Sequence, residues 1–202
     1  MKYLAICLCM GIFLAPTIHA QDHGTGTTAK AQHARASQAA PTVAQVADMQ
    51  IAIFEKQFVP LVEAMPADKY SFAPTDAMIK GGNFKTVRTF AEQIKHVAGV
   101  NYRLWAASLG EKPPAAATQG ENGPASMQSK AEILAYLKGS FEMGHRAAKA
   151  LTKENMLDSI SMGHGNAPRL FLVTYPVEHD FDHYGQLVEY LRMNGIVPPA
   201  SR

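Results

Sequence analysis

The stretch Glu178–Pro199, "EHDFDHYGQLVEYLRMNGIVPP", decides how the chain is read. Phe181, Tyr184, Leu187, Val188 and Leu191 recur at steps of three and four, the spacing of one helix face. Gly195 stands where a helix C-terminus wants a left-handed residue, and Pro198 and Pro199 block continuation. Upstream, Val173 and Val177 extend the apolar arc, so the helix is predicted to begin near Pro168, with Pro176 bending it or marking its first turn. Glu178, Asp182, Glu189 and Arg192 form the solvent arc. Between the two lies a third strip of His179, His183, Gln186 and Tyr190. Residues four apart on a helix have Cβ atoms ~5–6 Å apart, so two imidazoles there can converge on one ion.

Outward from this segment the same periodicity repeats. Ala47, Ile51, Phe54, Phe58, Leu61 and Met65 make one stripe, with Pro60 expected to kink its last third. A second helix is predicted from about Thr86 to Leu109, with Phe90, Ile94, Val97, Asn101, Leu104 and Ser108 in line. A third runs from about Ser126 to Lys153 through Leu134, Leu137, Phe141, Gly144, Ala148 and Leu151. No strand-like alternation of any length appears. Four amphipathic helices without strands predict an all-α four-helix bundle over residues 43–202. The three connections exceed the roughly 2–8 residues usual in bundles and are long enough to contribute to a site.

A histidine pair alone also fits two partly exposed side chains, so a third ligand has to be sought. His96, His145 and His164 are the candidates outside the N-terminal region. His96, midway along "FAEQIKHVAGVNYRLW", borders its apolar arc as the pair borders its own. A groove between the second and fourth helices then gathers His96, His179 and His183. His145 lies among Lys138, Glu142, Arg146 and Lys149, which suits a surface role, and His164 sits in a glycine-rich loop. Asp180 falls inside the apolar arc, where an unpaired carboxylate is costly. It either supports a ligand or pairs with an arginine or lysine of a neighbouring helix; Glu92 is another candidate supporter. His-Glu-x-x-His, Glu-x-x-His, a phosphate-binding glycine loop and Gly-x-Ser-x-Gly are all absent.

The N-terminus reads differently. "MKYLAICLCMGIFLAPTIHA" has Lys2, an apolar run and Ala20 before polar residues, the layout of a cleaved signal peptide over residues 1–20, with an uncleaved anchor as the alternative. Its apolar run is shorter than the ~20 residues of a membrane span, so no stable membrane insertion is expected after cleavage. Residues 21–42, rich in Ala, Gly, Ser, Thr and Gln, read as a flexible linker carrying His23 and His33 as solvated side chains. The expected location is periplasmic or secreted. Cys7 and Cys9, the chain's two cysteines, lie in the signal, so the mature protein has neither disulfides nor thiolate ligands. Its 202 residues are 47% hydrophobic and 18% charged, a globular composition, and a net charge of +2 gives no reason to expect a nucleic acid partner.

Three stretches together carry a family resemblance: "VEAMPADKYSFAPT", "RTFAEQIKHVAGVNYRLWAASLG" and the closing "HDFDHYGQLVEYLRMNGIVPPAS". The last matches a terminal His-x-x-x-His-x-Gly-Gln pattern followed by Leu-Arg-x-x-Gly and prolines. The chain resembles the DinB-like (YfiT-like) superfamily of four-helix metalloproteins from about Val43 to Ser201. The resemblance implies an up-down-down-up bundle, a homodimer, and a divalent metal on His96, His179 and His183. It implies nickel or zinc, with manganese and iron as further candidates, and thiol-transferase, isomerase or hydrolase chemistry on a small-molecule substrate. The family is mostly cytosolic, whereas an exported chain would meet few cytosolic thiols. Two functions therefore stand: a metal-dependent hydrolase or transferase, and a non-catalytic metal-binding or stress-associated bundle acting through dimerisation.

Overall fold

In the computed structural model, residues 39–163 and 165–202 are described; the expected signal segment, most of the expected linker, His23, His33 and His164 lie outside them. Pro41–Arg202 forms a compact unit. Among the described residues the α-helices are α1 Val43–Ala64, α2 Phe90–Leu109, α3 Lys130–Lys149 and α4 Arg169–Met193. None is long and apolar enough to cross a membrane.

Local chemistry sets the helix starts. Thr42, Thr89 and Ser129 cap α1, α2 and α3, each accepting from the backbone of a Gln or Glu three residues on, whose side chain reaches back. These boxes place the starts of α2 and α3 later than periodicity alone predicts. Thr86, with φ at 68°, cannot belong to a helix. Gly110, in the left-handed region, ends α2. The fourth helix has no side-chain cap; its first amides instead donate to loop carbonyls, Arg169 N–H to Asp158 and Leu170 N–H to Met156, both at 2.9 Å. Pro176 lies well inside α4 rather than in its first turn.

A short antiparallel hairpin, β1 Ser159–Ser161 and β2 Asn166–Pro168, precedes α4. Sequence alternation does not announce it, because three-residue strands are too short to show a period.

Helix directions follow from side-chain pairs. Between α1 and α3, Lys138 meets Glu63 and His145 meets Asp48, so these helices are antiparallel. Between α2 and α3, Tyr102 packs at Gly139 and Trp105 at Gly144, so they run parallel. Between α2 and α4, Gln93 meets His183 and Trp105 meets Val173, an antiparallel pair. Phe54 against Phe181 and Phe58 against Tyr184 make α1 and α4 parallel. The order is up, down, down, up. The core holds Phe54, Phe58, Leu61, Ile94, Trp105, Leu137, Phe141 and Leu187, all shielded from solvent.

His145 is not a free surface group. It bridges α3 to α1, with Nδ1 2.7 Å from Asp48 and Nε2 3.1 Å from Glu55. Burial pulls its pKa down, but the hydrogen bonds and charges of the two carboxylates outweigh this and hold it above the ordinary value. A raised folded-state pKa stabilises the fold fully below the unfolded value, ~6.5, and the contribution is lost as pH rises through the folded value. Wild type should therefore exceed His145→Gln in stability by about 1 kcal/mol at pH 6. The gap should shrink by pH 9 in urea titrations at both pH values; an unchanged gap would contradict the ion-bridge reading.

Candidate metal centre

The antiparallel packing of α2 on α4 brings His96 opposite the His179–His183 turn. His96 Nε2 lies 3.1 Å from His179 Nε2, and His183 Nε2 lies 3.2 Å from the same atom. One ligating atom of each falls within 4.8 Å of the others, and among the described residues this is the only such group of three or more. The three sequence candidates thus come together, and His145 is engaged elsewhere.

The other ring nitrogens determine what the cluster can do. His96 Nδ1–H donates to the Glu121 carbonyl at 2.6 Å, and His183 Nδ1–H donates to Gln93 Oε1 at 2.5 Å. A carbonyl or amide oxygen only accepts, so the proton of each ring is on Nδ1 and the lone pair is on Nε2. Two lone pairs then face His179 Nε2. A proton on that atom can serve one neighbour and leaves the other repelled. A cation resolves both contacts. Nitrogens ~2.1 Å from a shared ion stand about 3.0 Å apart at right angles and about 3.4 Å apart at the tetrahedral angle. The observed 3.1 and 3.2 Å fall between those limits, so the residues fit a transition metal.

Electrostatics agree. Burial first, then the neighbouring imidazoles and the Arg88 guanidinium, push His183 down to about 3. Burial also lowers His96, against the opposing Glu121 carbonyl. Both rings are neutral at neutral pH, the form in which imidazole binds metals.

Each ring has an orienting partner, as metal-ligating histidines commonly do. The buried Gln93 is fixed in turn by donating to Gln186 Oε1 at 2.7 Å, and Gln186 donates to Asp182 at 3.0 Å. Asp180, fully buried, sets Oδ1 3.4 Å from His179 Nδ1 and accepts from Asn101 Nδ2 at 2.9 Å. Burial raises its pKa to about 6 against those hydrogen bonds. Asp180 contacts His179 and Asn101 rather than an arginine or lysine, the placement its supporting role would require. Glu92 has a different job: its carboxylate closes the α2 cap at Thr89 N, 2.8 Å away.

Sequence reading missed three contributors. Asn101 carried a signal, since an asparagine in an apolar stripe needs a buried partner. Gln93, three residues before His96, shares its face and could have been inferred the same way. The Glu121 carbonyl carried none, because any residue supplies one. What brings it there is the α2–α3 loop, pinned by the buried Lys95 ammonium on the Pro124 carbonyl at 2.9 Å and by Arg88 Nε on Asn122 at 2.9 Å. Gly123 makes the close approach possible: its φ is +69°, and a Cβ there would meet Lys95 Cβ at 2.7 Å.

No curated protein sequence matches the chain at a significant level. A crystal structure of a DinB-like protein, YjoA, from Bacillus subtilis is similar, with a TM-score of 0.53 and 18% identity, covering 74% of this chain and 92% of that one. At that identity the likeness concerns the fold. The DinB superfamily matches residues 50–187, a span holding all three clustered histidines, Gln93, Asn101 and Asp180. With most of the folded unit inside that span, the chain belongs to the DinB superfamily.

Proposed function

We propose that the protein is an exported metal-dependent enzyme, of hydrolase or transferase type, with one divalent transition metal on His96, His179 and His183. The observation that carries this is the meeting of Nε2 atoms whose Nδ1 protons are committed elsewhere. A divalent ion on three neutral ligands supplies Lewis acidity, lowering the pKa of a bound water or thiol or polarising a carbonyl. The chain's own part is to hold three rings in fixed tautomers through Glu121, Gln93 and Asp180 and to bury the cluster between α2 and α4. Export rests on the signal-like layout of residues 1–20.

The count of three among the described residues favours catalysis over a structural role, since closed structural sites use four protein ligands. Cobalt substitution tests this. Absorption bands that shift on adding azide or a small thiol would show an exchangeable position. A tetrahedral spectrum indifferent to both would mean a closed site and a non-catalytic bundle.

A further inference from the structure

One helical turn past the ligands, α2 and α4 open into a cavity of about 600 Å³. Val100, four residues after His96, and Tyr175, four before His179, form the end nearest the centre; the Tyr175 ring lies 6.4 Å from that of His179. Leu104, Ala107 and Met162 make the remaining walls largely apolar. Volume and lining suit a small organic molecule.

One wall carries a charge. Arg103 has a single protein acceptor among the described residues, the Ala117 carbonyl, 2.9 Å from Nη1. The carboxylates that meet arginines, Glu111 and Asp158, are taken by Arg146 and Arg169. The guanidinium rests over Gly99, where an added Cβ would stand 3.3 Å from Nη1. A glycine inside a helix costs about 1 kcal/mol relative to alanine, and here its missing Cβ leaves the bed on which the guanidinium lies. Three neutral imidazoles would also leave the charge of a divalent ion uncompensated by any first ligand. A positive centre and an arginine beside apolar walls complement an anion with an apolar body.

We infer that this cavity is a binding site for an organic carboxylate with an apolar body of about phenyl size, the carboxylate on Arg103 and the body against Leu104, Met162 and Tyr175, beside the metal centre. The planar fork of arginine matches a carboxylate with two parallel hydrogen bonds. This reading specifies the substrate class of the enzyme proposed above and rests on that proposal for the metal's role.

The test titrates the mature protein, zinc-loaded and metal-free, with 3-phenylpropionate, its neutral amide and propionate. Calorimetry should show the aryl carboxylate binding about 10-fold more tightly than either comparator, over the amide through the charge-assisted hydrogen bond and over propionate through burial of the ring. Arg103→Met should abolish the preference over the amide without changing metal content. Met162→Glu, which removes an apolar contact from both ligands and sets a negative charge in the cavity, should weaken the acid more than the amide. Equal binding of acid and amide by the wild type, or a preference that survives both variants, overturns the inference. A preference that persists in protein unable to hold metal sustains the cavity and sinks the metalloenzyme reading instead.

Discussion

Alanine at His96, His179 or His183 is expected to weaken divalent-metal binding by more than about 100-fold, beyond the loss usual for an outer partner alone. Each ring supplies one of three converging Nε2 atoms, and no other His, Cys, Asp or Glu among the described residues joins the cluster. The same variants should cost the metal-free fold no more than about 1–3 kcal/mol, the loss expected when a buried acceptor is left without its imidazole donor, offset in part by relief of repulsion in the cluster. Without an ion the rings set lone pairs against each other, and removing one relieves that repulsion. Chelator competition measures the first effect and thermal unfolding of metal-free protein the second. A variant that keeps wild-type affinity would show its histidine to be misassigned. A large loss of metal-free stability would make the cluster a structural polar network.

The largest effect on folding is expected at Trp105. Its ring is fully buried, its Nε1–H donates to the Val173 carbonyl at 3.0 Å, and its six-membered ring fills the space over Gly144, where a Cβ would come within 2.8 Å. It therefore joins α2, α3 and α4 at one point. Trp105→Ala should cost about 3–5 kcal/mol, the range for truncating a buried aromatic. That is a large part of the roughly 5–15 kcal/mol that holds a domain together. Because this is the chain's one tryptophan, urea unfolding has to be followed by circular dichroism. A loss under about 1 kcal/mol would mean that the three-helix junction is not where the core's stability resides.

Much of this was legible in the sequence, for reasons that differ residue by residue. The four helices followed from 3.6-residue stripes, because burying one face of each is what drives the bundle. The histidine cluster followed from His179 and His183 sharing a turn and from His96 standing at the edge of an apolar arc rather than outside it. The face of α4 was read less well. Phe181 was assigned to the apolar arc, yet it is 45% exposed, while Asp180 is buried as its place in that arc implied and Pro176 is buried too. The polar cluster has its own packing demand, and satisfying Asp180 through Asn101 turns α4 so that Phe181 lies at the rim, edge-on to Phe54. Hydrophobicity alone has no term for that competition. The hairpin and the Glu121 carbonyl were beyond reach for a simpler reason: both depend on backbone groups, which every residue carries alike.

The central claim is that the stacked imidazoles of the fourth helix are metal ligands. Elemental analysis tests it most directly, on mature protein purified without an affinity tag beside a His179→Ala/His183→Ala variant. The expected result is about one equivalent of a transition metal in the wild type, as three histidine ligands around a single ion require, and none in the variant. Wild-type protein that stays metal-free after incubation with nickel, zinc or manganese, or a variant that retains the metal, would contradict it.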